Sequence, residues 1–174
     1  MTEAPREPYP PDPDDDAGPP ETLDDLVDAR VENGDFSNMR ALRSSLRRCE
    51  LHLCRLTGIE LAESAWSDVV LSDCRADFAG LRHARLERVV FRDCRLEEAD
   101  FGGAALTDVA FERCELGRAS FAGARVERVE LRGCDLTGLV GVEALRGARM
   151  PWSDVLQNAP LFAQALGIGA LPDE

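Results

Sequence analysis

The sequence contains no lysine, only two histidines and one tyrosine, and no long apolar run in its 174 residues. A membrane-spanning helix needs about 20 consecutive apolar residues, so we expect no membrane span. The first residues lack the basic start and the apolar stretch of a secretory signal, and we therefore expect a cytoplasmic protein. Every basic side chain is an arginine, which we attribute mainly to coding bias; the alternative is a functional preference, since arginine suits planar, bidentate contacts.

Sequence motifs of catalysis and ligand binding are also missing. The chain has no glycine-rich phosphate loop, no histidine–cysteine metal spacing and no nucleophile-elbow sequence. Acidic pairs such as Glu97 and Glu98 fall where no pocket is expected to form around them. We therefore expect a protein that is not an enzyme and that holds neither a cofactor nor a metal.

The net charge of −13 is concentrated at one end of the chain. Residues 1–35 hold twelve acidic side chains and two arginines, whereas residues 36–140 hold seventeen and sixteen. Residues 1–22 are rich in proline and aspartate with little to bury, which predicts a disordered tail that either solubilises the protein or docks elsewhere. Since no part of the rest is uniformly basic, we expect no direct binding of nucleic acid.

A five-residue period organises residues 36–140. Every fifth residue from Phe36 to Leu136 is apolar, and the residue two positions earlier is usually small. This period matches neither a helix, at 3.6 residues, nor a strand, at 2. Each unit has the order small, polar, large apolar, polar, polar, so its last two positions can turn the chain. Four units that each turn the chain by a quarter would close a square coil.

In such a coil each residue lies over the residue twenty positions later, about 4.8 Å away. Regularly spaced cysteines without a secretory signal then indicate a column of buried, reduced thiols, with Cys49 on the next side, rather than disulfides. The predicted inward columns are Cys54, Cys74, Cys94, Cys114 and Cys134; Leu71, Phe91, Phe111 and Leu131; and Leu81, Phe101 and Phe121.

Three units, ADFGG at 99–103, ASFAG at 119–123 and CDLTG at 134–138, resemble the A(D/N)LXX motif of the pentapeptide repeat family. The resemblance covers about residues 29–140, with Cys or Val at many small positions and Arg at many Asp/Asn positions. It implies an all-β fold, a right-handed quadrilateral parallel β-helix. Some members of the family resemble duplex DNA, bind DNA gyrase and confer fluoroquinolone resistance.

The repeat ends near residue 140, which divides the chain into a tail (1–22), a solenoid (23–150) and a C-terminal segment (151–174). We expect Leu145 and Met150 to complete an irregular last coil. Ser153 is predicted to cap a short helix and Pro160 to lie in the first turn of a second. The segment either caps the solenoid or forms a homodimer interface, as in some family members. Its candidate interaction residues are Leu156, Leu161, Phe162, Leu166 and Ile168.

The outward positions of the coils favour one function over another. One column alternates in sign through Arg48, Asp68, Arg88, Asp108 and Arg128, which is typical of a self-neutralised surface. We favour a non-catalytic scaffold that binds another protein. The alternative, implied by the resemblance, is a DNA mimic that binds a type II topoisomerase, DNA gyrase, and gives antibiotic resistance. A mimic needs a strongly negative rod, and residues 36–140 are nearly neutral.

Overall fold

The computed structural model describes residues 3–11 and 20–169 of the chain. The protein is a parallel β-solenoid whose long strands, eight residues each, begin every twenty residues. The quadrilateral β-helix expected from the sequence is confirmed, as are its short C-terminal helices. The strands are β1 (Leu26–Val27), β2 (Arg30–Glu32), β3 (Ser45–His52), β4 (Ala65–Ser72), β5 (Arg85–Arg92), β6 (Ala105–Glu112) and β7 (Arg125–Arg132). A 3-10 helix (Val142–Leu145) and two α-helices, α1 (Trp152–Gln157) and α2 (Ala159–Ala165), follow.

Neighbouring coils pair in parallel, with each residue opposite the residue twenty positions later. In β4 and β5, Val69 lies opposite Val89 and Leu71 lies opposite Phe91. The same register continues outside the long strands, as in the single bridge between Gly80 and Asp100. The backbone groups of one coil are therefore bonded to the coils above and below, and each coil depends on its neighbours.

The corners of the solenoid explain the five-residue period. Every fifth residue from Asp28 to Gly138 has a positive φ, between 51° and 69°. This residue is the last of each unit, where the sequence order predicts a turn. The left-handed conformation costs an ordinary side chain about 1–2 kcal/mol, yet most of these corners are not glycine. Inter-coil hydrogen bonds and core packing must offset that cost at every corner.

Aromatic rings fill the middle of the core in two interleaved columns. Phe101 and Phe121 stack with ring centroids 4.8 Å apart. Phe101 and Phe111, from the two different columns, meet edge to face at 5.8 Å. The predicted columns of cysteine, leucine and phenylalanine all lie buried, at most 7% exposed. Each ring therefore touches rings of its own column and rings of the column on the opposite side of the coil.

The C-terminal end of the solenoid is closed by irregular structure. Leu145 is buried and Met150 packs partly against the core. Pro160 lies in the first turn of α2, as predicted. The predicted cap at Ser153 is wrong, because Pro151 precedes the first residue of α1 and the Ser153 hydroxyl donates to Asp154 instead. Within the described residues, no helix has the length and apolar character needed to cross a membrane.

Candidate interaction surfaces

The column of alternating charges is a series of two-point ion pairs. All five residues of this column occupy left-handed corners. Arg88 donates to both carboxylate oxygens of Asp68, at 2.6 and 2.9 Å. Arg128 holds Asp108 in the same way, at 2.7 and 3.0 Å. The planar guanidinium fits the carboxylate on the coil below, so the pairing is more specific than an alternation of sign requires.

The two aspartates of these pairs are buried although they lie on the outside of the coil. The side chain of Asp108 is only 2% exposed, against 20% for Arg128. The hydrogen bond from Arg128 holds the pKa of Asp108 below its ordinary value, and burial opposes this effect. Arg128 also contacts Glu127 on its own coil, so its charge is shared between two carboxylates. The column is a neutralised and rigid surface rather than an acidic one.

The adjacent side of the solenoid, which bears the cysteines, carries a column of charged residues whose sign changes along the solenoid axis. Its column runs Arg55, Arg75, Arg95, Glu115 and Asp135, with each member bridged to the next through the backbone. The change of sign is marked by an ion pair between Arg95 and Glu115, at 3.3 Å. From Arg55 onward the column thus changes from guanidinium groups to carboxylates, and Asp35, which precedes Arg55 in it, pairs with Arg55 at 3.5 Å.

The cysteine column is a structural element without reactive geometry. All six thiols are free and buried. Each thiol of the column donates to two backbone carbonyls; that of Cys94 donates to Leu71 at 3.5 Å and to Arg92 at 3.3 Å. In residues 3–11 and 20–169 no group of three or more His, Cys, Asp or Glu side chains could hold a metal ion.

The C-terminal segment divides its apolar side chains between the core and the surface. Leu161 and Phe162 pack partly against the last coil, whereas Leu156, Leu166 and Ile168 are 59–73% exposed. Between α2 and the last coil lies an apolar cleft. Its lining includes Val142, Leu145, Met150, Val155, Phe162 and Leu166. Of the five candidate interaction residues, three are thus available to a partner and two serve the cap.

A contact that the sequence did not predict joins the N-terminal segment to the solenoid. Residues 3–11, part of the expected disordered tail, have no regular secondary structure and contact the buried aspartates of the charged column. The rest of that expectation, for residues 1–2 and 12–19, lies outside the described residues. The available signal was a proline at every third position, Pro5, Pro8 and Pro11.

Four-sided parallel coils with a left-handed residue at every fifth position define a solenoid repeat protein built of five-residue units. A family model described as a pentapeptide repeat region matches residues 44–121 and 81–140. These matches cover more than half of the chain, and the chain belongs to the pentapeptide repeat family.

Solved structures of this kind share the fold at low identity. A trypsin-treated variant of QnrB1, a plasmid-mediated fluoroquinolone resistance protein, is 18% identical, with a TM-score of 0.46 over 87% of this chain and 95% of that one. HetL, involved in heterocyst differentiation regulation in the cyanobacterium Nostoc, is 23% identical, with a TM-score of 0.42 over 74% and 66%. An Arabidopsis thaliana thylakoid-lumen protein is 17% identical, with a TM-score of 0.35 over 82% and 83%. At these values none of the three indicates what this chain binds. A search of curated proteins finds no match.

Proposed function

We propose that the chain is a non-catalytic, cytoplasmic scaffold that binds another protein along the cysteine-bearing side of the solenoid. The observation that carries this proposal is the change along that side from guanidinium groups, at Arg55 and Arg75, to carboxylates, at Glu115 and Asp135. Charges held on a rigid backbone select a partner of complementary pattern, since they need little ordering on binding.

Affinity capture with three full-length baits tests this surface. The wild-type bait is compared with an Arg55→Glu, Arg75→Glu variant, and with a control, Arg85→Glu, Arg125→Glu, that reverses two exposed arginines on a different side. We expect wild type and the control to retain the same partner and the first variant to lose it. If all three baits retain it equally, the cysteine-bearing side is not the binding surface.

The exposed apolar residues of the C-terminal segment suggest a second copy of the chain as a further partner. Leu156 and Leu166 lie on α1 and at the end of α2, and they are 59% and 73% exposed. A Leu156→Glu, Leu166→Glu variant should be monomeric in sedimentation equilibrium at concentrations where wild type is dimeric. Wild-type protein that stays monomeric throughout would show that this surface does not form a homodimer.

Binding to DNA gyrase is the alternative function, and the paired column weighs against it. A phosphate mimic needs unneutralised carboxylates in a row, whereas Asp68 and Asp108 are each held by an arginine. We expect neither the full chain nor residues 21–174 to inhibit gyrase supercoiling at micromolar concentration. Potent inhibition by the full chain would favour the gyrase-binding function over the generic scaffold.

A further inference from the structure

The N-terminal strap, residues 3–11, is bonded to the solenoid through its backbone. The Arg6 N–H donates to Asp108 Oδ1 at 3.1 Å. The Tyr9 N–H donates to Asp68 Oδ1 at the same distance. Both acceptors already receive bonds from an arginine of the next coil, so each carboxylate is shared between the solenoid and the strap.

The strap covers apolar surface that would otherwise face solvent. Val90 lies between two inward-facing residues of β5, Val89 and Phe91, and so points outward, yet it is only 5% exposed. Residues 4–7 line one cleft together with Val90, Ala110 and Glu130. The burial of Val90 therefore arises from the same contact as the two hydrogen bonds.

The spacing of the strap fits the spacing of the coils. Three of its four prolines, Pro5, Pro8 and Pro11, recur every third residue, and Arg6 and Tyr9 each follow one of them with the N–H that proline lacks. In a polyproline II helix three residues rise by about 9.3 Å. The corners of Asp68 and Asp108 are two coils apart, or about 9.6 Å. One N–H per turn of a polyproline helix thus meets one carboxylate per two coils.

Charges beside the two bonds are also complementary. After Arg128 and burial, the N–H of Arg6 and its charge are further influences on the pKa of Asp108, and both lower it. The pKa of Arg92 is raised, first by its hydrogen bond to Glu112 and to a smaller extent by the negative charge of Glu7. The basic and acidic side chains of the strap each lie near an opposite charge of the solenoid.

We propose that the side of the solenoid carrying Asp68, Val90 and Asp108 is a binding groove for a proline-rich segment in the polyproline II conformation, and that the chain's own residues 3–11 occupy it. The groove recognises a backbone N–H donor at every third residue of the proline-rich segment, on the side of that segment that contacts the solenoid. The strap is a self-ligand, and any protein that uses this groove has to displace it. This inference does not depend on the proposed scaffold function or on its cysteine-bearing surface.

Full-length variants that differ only in the strap test the proposal. Arg6→Pro, Tyr9→Pro removes both donor N–H groups and keeps the polyproline preference. Glu3→Pro is the control, since it also adds a proline and removes one charge, at an exposed residue of the strap outside the lining of the cleft. All three chains are titrated with a synthetic peptide of residues 3–11 while the amide NMR signals of Val90 and Ala110 are followed.

A tethered segment acts at an effective concentration of about 1 mM, so an intact strap competes with added peptide. We expect the peptide to shift the Val90 and Ala110 signals of the donor-deleted variant at concentrations at least tenfold lower than in wild type or in the control. A peptide with proline at both donor positions should have no effect. Equal titration of all three chains, or no shift in any of them, would overturn the proposal. Dimers that form through exchanged straps would overturn occupation by the chain's own segment.

Discussion

Phe91 and Phe111 lie one coil apart with ring centroids 5.0 Å apart and ring planes 4° from parallel. Phe111 also meets Phe101 and Phe121 edge to face. We expect Phe111→Ala to lower the free energy of unfolding by about 3–5 kcal/mol, because a buried aromatic side chain leaves a cavity. Phe111→Leu should cost less than about 1.5 kcal/mol.

Urea unfolding measures both changes, with Leu42→Ala as the control. Leu42 is 47% exposed and has no positive φ, so its replacement should change the free energy by less than about 0.5 kcal/mol. The smaller cost of leucine follows from its natural use at Leu71 and Leu131 in the same column. Equal costs for the alanine and leucine variants of Phe111 would contradict this account of the core.

A corner substitution should stabilise the protein. Phe78 is an exposed aromatic residue with φ of 60°, a conformation that asparagine adopts more readily. We expect Phe78→Asn to raise the free energy of unfolding by about 1 kcal/mol. Leu42→Asn is the control, because Leu42 is 47% exposed and does not have a positive φ. If both variants gained the same free energy of unfolding, the cause would be the replacement of an exposed apolar side chain by a polar one, not the backbone conformation.

The thiols should react slowly in the native protein. The neighbouring thiol on the next coil raises the pKa of Cys94 and Cys114 to about 12, the thiol on the previous coil opposes this, and burial adds to it. Since the thiolate is the reactive form, labelling with a disulfide reagent at pH 8 should be slow until urea unfolds the chain. Rapid labelling of most thiols in native conditions would be inconsistent with a buried column.

Acid should weaken the solenoid through its corner ion pairs. Arg88 and Arg128 lower the pKa values of Asp68 and Asp108, so these carboxylates stabilise the fold above their unfolded pKa of about 3.9. That contribution is lost as the pH falls through the lower folded values. We expect Asp108→Asn to reduce Tm clearly at pH 7 and much less near pH 2. A difference in Tm that is as large at pH 2 would contradict the linkage.

The fold and the core were predictable because the sequence repeats a strict geometric constraint. The period places Phe91 under Phe111, and the cysteine spacing places Cys94 under Cys114, without any knowledge of long-range contacts. Even the pairing of Asp108 with Arg128 follows from their separation of twenty residues. In a solenoid, contacts between coils recur at a fixed separation in sequence, which makes them unusually visible.

The strap and the start of α1 were not predictable in the same way. The contact of Tyr9 with Asp68 joins residues 59 apart that no repeat relates. It depends on the length of three residues of the N-terminal strap matching the height of two coils of the solenoid. Ser153 carries a common capping side chain, but Pro151 already fixes the chain direction ahead of Trp152. Both features occur outside the repeat, where composition was the main guide.

The two-coil period of the charged corners restricts how this solenoid can lengthen. Duplication of the single coil 85–104 would stack a second arginine directly over Arg88, about 4.8 Å away, and leave one of them without its aspartate. Duplication of residues 65–104 would instead copy Asp68 and Arg88 together and preserve every pair. Gene-level growth of this rod, or its extension by protein engineering, should therefore proceed in modules of two coils.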